Sequence, residues 1–262
     1  MEDVQNRNDE RQVPIDQVGV CDLRYPISVL DRNHEKQHTI ARLTLSVSLP
    51  HHFKGTHMSR FIEVLNQHRG EVTMRTVPAI LTDLRKRLAA EKAQITVEFP
   101  YFLERVAPVS RAKSLMEYDC SFQAEIDGGQ EDFVLSVRVP VTSLCPCSKA
   151  ISDYGAHNQR GFITFTVRTK KGVNGNWKFI WIEELIAIAE KSASAPIYAL
   201  LKRTDERHVT MQAYDNPVFV EDMVRNAASY LNKDKRIAWF EVRVVNHESI
   251  HNHQAFAVVR HS

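Results

Sequence analysis

The order in which strand-like and helix-like segments follow one another is the strongest constraint on how this chain can fold. Alternating apolar positions predict four strands in the first half, at residues 25–30, 39–49, 95–99 and 115–126. Apolar positions at helical spacing predict two helices between the second and third strands, one capped by Thr56 and ended by Gly70, the other starting near Val77. The first half therefore has the order ββααββ, and its first two strands are expected to form a hairpin.

The same order recurs in the second half of the chain. Four strands are predicted there, at residues 133–140, 162–167, 237–245 and 255–259. A helix over residues 181–194 and a long helix, capped by Asn216 with Pro217 as its first residue, lie between the two strand pairs. Identity between the halves is too low for a sequence repeat, so the repetition lies in the order of elements. We predict an α+β fold of two tandem ββααββ modules, each an antiparallel sheet with its helices on one face.

Domain boundaries and assembly follow from this order. Residues 1–20 are expected to form a mobile N-terminal arm, residues 21–130 the first module, and residues 131–262 the second module with most of the active-site candidates. Antiparallel sheets with open edges invite pairing with further strands unless the edges are covered. We therefore expect a homo-oligomer in which the sheets close into a barrel across subunits.

The charge balance argues against large polyanionic partners. The 34 basic and 32 acidic residues give a net charge of +2, which creates no global field favouring nucleic acid or an anionic membrane. Residues 1–16 are mainly polar, and no apolar run approaches the length of a membrane span. We expect a cytoplasmic protein with reduced cysteines, because a Cys-Pro-Cys loop is too short to close a disulfide without strain.

A cysteine and a histidine in one short segment are the leading candidates for chemistry. Cys145 and Cys147 flank Pro146, and His157 follows twelve positions after Cys145. Pro146 and Gly155 bend the chain between them, so the thiol and the imidazole can converge on one site. These groups are the ligands that a borderline-soft divalent metal prefers. The alternative is that both cysteines are small buried thiols at the end of a strand.

A run of charged residues between the two C-terminal helices offers further ligands. Residues 204–208 contain Glu206 and His208, and either side chain is a natural additional metal ligand if the segment folds towards Cys145. The alternative is a solvated charge run in a loop.

Carboxylates at two other element boundaries are candidates for proton transfer and binding. The turn at residues 246–253 contains Glu248 and His251, which can exchange protons at neutral pH, or else form an exposed hydrophilic turn. Glu221 and Asp222 stand at the start of the long helix, where carboxylates ordinarily satisfy the helix macrodipole. A buried carboxylate there could instead accept paired hydrogen bonds from the N1–H and 2-amino groups of guanine.

Four motifs together resemble one enzyme family. They are HMSRF at 57–61, PVTSLCPCSK at 140–149 continuing with AHNQR at 156–160, AYDNP at 213–217 with VED at 220–222, and ESIHNH at 248–253. In these motifs the chain resembles GTP cyclohydrolase I of type IB, the metal-dependent bimodular members of the tunnelling-fold (T-fold) enzymes. The resemblance covers nearly the whole chain beyond the N-terminal arm.

The resemblance implies a metal-dependent hydrolysis of GTP to 7,8-dihydroneopterin triphosphate and formate, the first step of folate biosynthesis, by a homotetramer. By role, the matched positions are the metal ligands Cys145, His157, Glu206 and His251, the catalytic residues Cys145, Glu248 and His251, and the substrate contacts Glu221, Lys149 and Arg160. The sequence leaves the divalent metal open among Zn, Mn and Fe, because a mixed thiolate, imidazole and carboxylate site suits each of them differently.

Two other functions are compatible with the same residues. A T-fold nitrile reductase that acts on a deazaguanine would use Cys145 to form a covalent thioimide and a nicotinamide as hydride donor. Residues 190–194 do not match the lysine-rich cofactor motif of that family, which disfavours this function. A non-catalytic metal-binding or purine-binding protein is the second alternative, but it would give the polar cluster at 248–253 no function.

Overall fold

The computed structural model describes residue 5 and residues 7–32, 36–68, 72–73, 76–173 and 177–261. Gly70, the predicted end of the first helix, lies outside this range. The described residues form six helices and nine strands. The fold is α+β, with a large antiparallel sheet and helices on one side of it, as predicted. No helix in the described ranges is long and apolar enough to span a bilayer.

The chain divides into two compact units, and the first comprises residues 1–100 and 121–134. Its elements are β1 (Ile15–Leu30), β2 (Lys36–Leu49), α1 (Met58–Gln67), α2 (Val77–Leu88), the first part of β3 (Lys92–Val106), the second part of β4 (Lys113–Asp127) and the start of β5 (Gln130–Leu144). β1 pairs with β2, which confirms the predicted hairpin, and β2 pairs with β3. Residues 15–20 of the predicted N-terminal arm belong to β1.

The second unit comprises residues 101–120 and 135–262. After the rest of β5 it contains α3 (Pro146–Ile151), β6 (Asn158–Thr169), α4 (Ile182–Ser192), β7 (Ala195–Pro196), α5 (Arg203–Asp215), α6 (Val220–Lys233), β8 (Ile237–His247) and β9 (Gln254–His261). Antiparallel pairing joins β5 to β6, β6 to β8 and β8 to β9. The apolar stripe of α6, which includes Met223, Ala227 and Leu231, is buried and packs over β8 and β9.

Two helix starts differ from the sequence-based prediction. The cap of α1 is His57 and not Thr56. Asn216 ends α5 instead of starting the next helix, and α6 begins after Phe219. For α6 the reason is local hydrogen bonding, because Asp222 Oδ2 accepts the backbone N–H of Phe219 at 3.0 Å and so satisfies one of the donors that a helix start leaves free.

The expectation of a loop at residues 204–208 is wrong, because this segment lies in the first turns of α5. Asp205 is fully buried there, with a relative exposure of 0%. Its carboxylate accepts the backbone N–H groups of Lys202, Val109 and Ser110 and the Ser110 hydroxyl, at 2.6 to 2.8 Å. The start of α5 is thereby fixed against the turn between β3 and β4.

The charge of Asp205 is stabilised by these bonds. Burial raises the pKa of the Asp205 carboxyl, but the hydrogen bonds from Ser110, Lys202 and Val109 outweigh burial and hold the pKa well below its ordinary value. The folded state therefore depends on the ionised form of this group.

We expect Asp205→Asn to lower the free energy of unfolding at neutral pH and to have progressively less effect in acid. Because the pKa is lower in the folded protein than in the unfolded chain, the stabilisation is complete above the unfolded value of about 3.9 and is lost as the pH falls through the folded value. Urea unfolding of both proteins at about pH 7 and about pH 3 measures this. Asp215→Asn, at the exposed end of the same helix, is the control. A destabilisation that does not change with pH would contradict the prediction.

Candidate active site

A cavity of about 360 Å³ in the second unit brings together most of the predicted site residues. Its lining includes Cys145, His157, Glu221, Glu248 and His251. They come from the end of β5, the start of β6, the first turn of α6 and the segment between β8 and β9. Cys147 and His253 also line it, so the cavity combines two thiols, three imidazoles and two carboxylates from four parts of the chain.

Ser148 holds the backbones of Cys145 and His157 together. The Ser148 hydroxyl donates to the carbonyl oxygen of Cys145 and accepts the backbone N–H of His157, both at 3.2 Å. The backbone N–H of Cys145 donates to the carbonyl oxygen of His157, also at 3.2 Å. The Ser148 N–H is directed at the sulphur of Cys145, at 3.5 Å. The twelve-residue separation is thus closed by direct hydrogen bonds.

The segment after β8 contacts the same region through two side chains. Ser249 Oγ lies 3.0 Å from Nδ1 of His157, so Nε2 is the imidazole nitrogen that remains for another partner. Glu248 Oε1 accepts a hydrogen bond from Nε2 of Gln159 at 2.9 Å. The turn proposed for proton transfer is therefore attached to β6 at Gln159 and to the residue before β6, His157.

A chain of three buried groups joins β8, β5 and the segment before α6. Asn246 Nδ2 donates to the hydroxyl of Ser143 at 3.1 Å, and this hydroxyl donates to the carbonyl oxygen of Val218 at 3.1 Å. Because a carbonyl oxygen can only accept, the single hydroxyl hydrogen of Ser143 is used there. The amide of Asn246 must therefore present its nitrogen to Ser143, which fixes its orientation.

The hydrogen bond from Asn246 to Ser143 passes across β6 at Gly161, which is paired with Asn246 in the sheet. A Cβ atom at Gly161 would lie 2.2 Å from Oδ1 of Asn246. Only glycine leaves room for the asparagine side chain to reach across the strand to Ser143.

Glu221 and Asp222 have separate functions in the structure. The Asp222 carboxylate accepts the N–H of Phe219 at the helix start. Glu221 is exposed and lines the cavity. The guanine-binding hypothesis considered a buried carboxylate, and Glu221 is exposed in this structure, while its neighbour satisfies the helix terminus.

Three predicted site residues do not line this cavity. Glu206 is exposed on α5. Lys149 donates from Nζ to the carbonyl oxygen of Tyr214 and lies 4.1 Å from the centre of the Tyr214 ring. Arg160 is exposed and follows Gln159 on β6, so it lies on the opposite face of the strand from this cavity residue.

The donor types in the cavity suit a borderline divalent metal, because thiolate, imidazole and carboxylate are all represented. Their spacing does not form a metal site. Across the described ranges, no three His, Cys, Asp or Glu side chains are close enough to hold one ion. The four predicted ligands are therefore not assembled in this structure, and Glu206 does not line the cavity that contains the other three.

Comparison with known sequences identifies the family. The family model described as "Type I GTP cyclohydrolase folE2" matches residues 1–257. The chain belongs to this family. A GTP cyclohydrolase FolE2 from Syntrophotalea carbinolica is 55% identical over 259 residues, which cover 99% of this chain and 94% of that protein. One from Geobacter sp. strain M21 is 53% identical over 262 residues, covering 100% and 95%. The family resemblance drawn from the motifs is confirmed.

Solved structures with a similar fold are urate oxidases. The uricase of Arthrobacter globiformis superposes with a TM-score of 0.54 at 9% identity, covering 94% of this chain and 92% of that chain. A highly active mutant of the urate oxidase from Bacillus sp. TB-90 gives a TM-score of 0.56 at 8% identity, covering 95% and 100%. At such low identity the likeness concerns the fold alone, and it agrees with a T-fold-like arrangement.

Four polar residues that organise the site of this FolE2 family member were not predicted from the sequence. They are Ser143, Ser148, Gln159 and Asn246. Ser143 and Asn246 are polar residues on the otherwise apolar buried faces of β5 and β8, and a polar side chain at a buried strand position is the signal that could have indicated them.

We expect Gly161→Ala to lower the free energy of unfolding by about 1–3 kcal/mol, because the new methyl group overpacks the buried position occupied by Asn246 Oδ1. Thermal unfolding measures the change. Gly55→Ala is the matched control, since a Cβ atom there would lie 3.6 Å from its nearest neighbour, an ordinary contact. Equal melting temperatures for wild type and Gly161→Ala would contradict the prediction.

Proposed function

We propose that this chain hydrolyses GTP to 7,8-dihydroneopterin triphosphate and formate, the first step of folate biosynthesis. The observation that carries the proposal is that the cavity combines Cys145, His157, Glu248 and His251 in a chain that belongs to the type I GTP cyclohydrolase family over nearly its full length. The family membership disfavours the nitrile reductase alternative.

The residues of the cavity have chemistry that suits this substrate. Glu221 accepts the N1–H and 2-amino groups of guanine, because a carboxylate can take both bonds at once. Glu248 and His251 move protons during ring opening and loss of formate. Lys149 and Arg160 stay predicted contacts of the triphosphate, which they would have to reach from outside the cavity described above.

A divalent metal is the further component that we propose. Cys145 and His157 would supply two ligands, and Glu206 and His251 remain the predicted additional ones. When bound, such an ion lowers the pKa of a coordinated water from about 15.7 to about 7. The metal identity, among Zn, Mn and Fe, is left to experiment.

The direct test is incubation of the protein with GTP after reconstitution with Zn, Mn or Fe in parallel. We expect formate and a fluorescent oxidised pterin to form together, and both to be lost with a chelator. Nucleotide binding without either product, under every metal, would favour the non-catalytic alternative and contradict the proposal.

The two thiols of the Cys-Pro-Cys segment are expected to differ. Cys145→Ala should abolish formate release, because it removes a proposed metal ligand whose sulphur is held by Ser148. Cys147→Ala, at an exposed position in the same segment, is the matched control and should have a much smaller effect. Equal losses of activity in both variants would contradict the assignment of Cys145.

Ser249 offers a test of the metal proposal that does not depend on activity. Because the Ser249 hydroxyl lies against Nδ1 of His157, it orients the imidazole, and loss of such a partner typically weakens metal binding by about 10–100-fold. We expect Ser249→Ala to weaken Mn²⁺ binding in calorimetry by this amount. Ile250→Ala, exposed at the next position, is the control. Unchanged affinity in Ser249→Ala would contradict the role of His157.

The tandem T-fold modules and the homotetramer are also part of the proposal. Among the described strands, β1 and β9 stand at the two ends of the strand order, and end strands offer unpaired backbone groups to another chain. Sedimentation at micromolar concentration should give an oligomer, with a tetramer as the expected species. A monomer would contradict this assembly.

A further inference from the structure

Two amide oxygens at the cavity have no hydrogen-bond partner in the described part of the chain. They are Oε1 of Gln159 and Oδ1 of Asn246. Gln159 has a relative exposure of 8% and Asn246 of 1%, and both residues line the cavity. A buried carbonyl oxygen without a partner is destabilising. These oxygens therefore point to a ligand that carries hydrogen-bond donors.

The partners of both amides fix which atom remains for a ligand. The Glu248 carboxylate, when ionised, only accepts hydrogen bonds, so Gln159 must present Nε2 to it, at 2.9 Å. Ser143 uses its hydrogen on Val218 and accepts from Nδ2 of Asn246. In each amide the nitrogen already donates a hydrogen bond within the protein, so the oxygen is the atom that remains for a ligand.

The chemistry of the proposed reaction supplies donors that GTP itself lacks. The imidazole side of guanine presents N7 and O6, both acceptors, which cannot bond to an amide oxygen. When water adds across the C8=N7 double bond, its oxygen bonds to C8, one hydrogen stays as the C8 hydroxyl and the other arrives at N7. The adduct therefore carries two donors, N7–H and C8–OH, where the substrate carried none.

We propose that Gln159 and Asn246 accept hydrogen bonds from these two donors and so bind the hydrated purine more tightly than GTP. The inference rests on the proposed function. Gln159 is bonded to Glu248, a proposed proton-transfer group, and so lies beside the reacting atoms. The terminal torsion of glutamine is broad, which lets the amide oxygen turn towards the ligand. Interactions that form only as the reaction proceeds accelerate it, whereas equal binding of substrate and adduct does not.

Two unreactive nucleotides test this. The 8-oxo analogue of GTP has N7–H, whereas the 7-deaza analogue has a carbon at this position and cannot donate. We expect wild-type protein to bind the 8-oxo analogue more tightly by about five- to tenfold, the effect of one hydrogen bond. Gln159→Met, which has no amide oxygen, should reduce the ratio of the two dissociation constants at least threefold. When the ratio of the two dissociation constants is compared between wild type and variant, other differences between the nucleotides cancel, and so does any general weakening of the site.

Gln130→Met, at an exposed position outside the cavity, is the matched control, because it makes the same substitution away from both amide oxygens, so the ratio should stay near the wild-type value. If Gln159→Met does not fold, the wild-type ratio alone decides, and a ratio of one overturns the inference. Formate release from GTP together with an unchanged ratio in Gln159→Met overturns the inference while the proposed function stands. Failure of the wild-type protein to bind either analogue or to release formate overturns both.

Discussion

The hydrogen-bond chain from Asn246 through Ser143 to Val218 is the interaction on which the candidate active site depends. It lies within the second unit, and Asn246 and Ser143 are almost completely buried. It connects three elements that are distant in sequence: the end of β8, the end of β5 and the segment before α6. A buried polar chain is stabilising only when its members are bonded to each other, so these elements keep one relative position.

Residues proposed for catalysis and substrate binding follow each of the three members of that hydrogen-bond chain. Cys145 follows Ser143 by two residues, and Glu248 follows Asn246 by two. Glu221 follows Val218 by three residues, at the start of α6. The segment before α6 is held further by the N–H of Val218, which donates to the carbonyl oxygen of Leu144 at 3.2 Å. Cys145, Glu221 and Glu248 thus line one cavity, because the hydrogen bonds among their buried neighbouring residues fix the backbones of the three segments.

Much of the fold was predictable because its elements have one apolar face. The long strands alternate between buried and more exposed positions, and α6 has a continuous buried stripe. α5 was missed because the sequence shows little periodicity there: its buried residues are only Asp205 and Ala213. The cap assignment at Asn216 was wrong because Asp222 accepts the backbone N–H of Phe219, three residues further on. The assignment at Thr56 was wrong because α1 begins after His57 without a side-chain cap, so a capping residue is no guide there.

The site was predictable in part, for a different reason. Cys145, His157, Glu221, Glu248 and His251 have side chains with evident chemistry in recognisable motifs, and all five line one cavity. The residues that were missed act through neutral hydrogen bonds to partners far away in sequence, as Asn246 does with Ser143. Such pairing is set by strand register across the sheet, which a single sequence does not specify.

We propose that the imidazole ring of GTP is opened in the cavity between α6 and the segment after β8. The most direct measurement is a crystal structure of the metal-loaded protein with the unreactive 7-deaza analogue of GTP. The account predicts the base in this cavity, with its N1–H and 2-amino groups on Glu221 and C8 facing Glu248. A nucleotide bound elsewhere, for example against Met211 and Asp215 at the second pocket on α5, would contradict it.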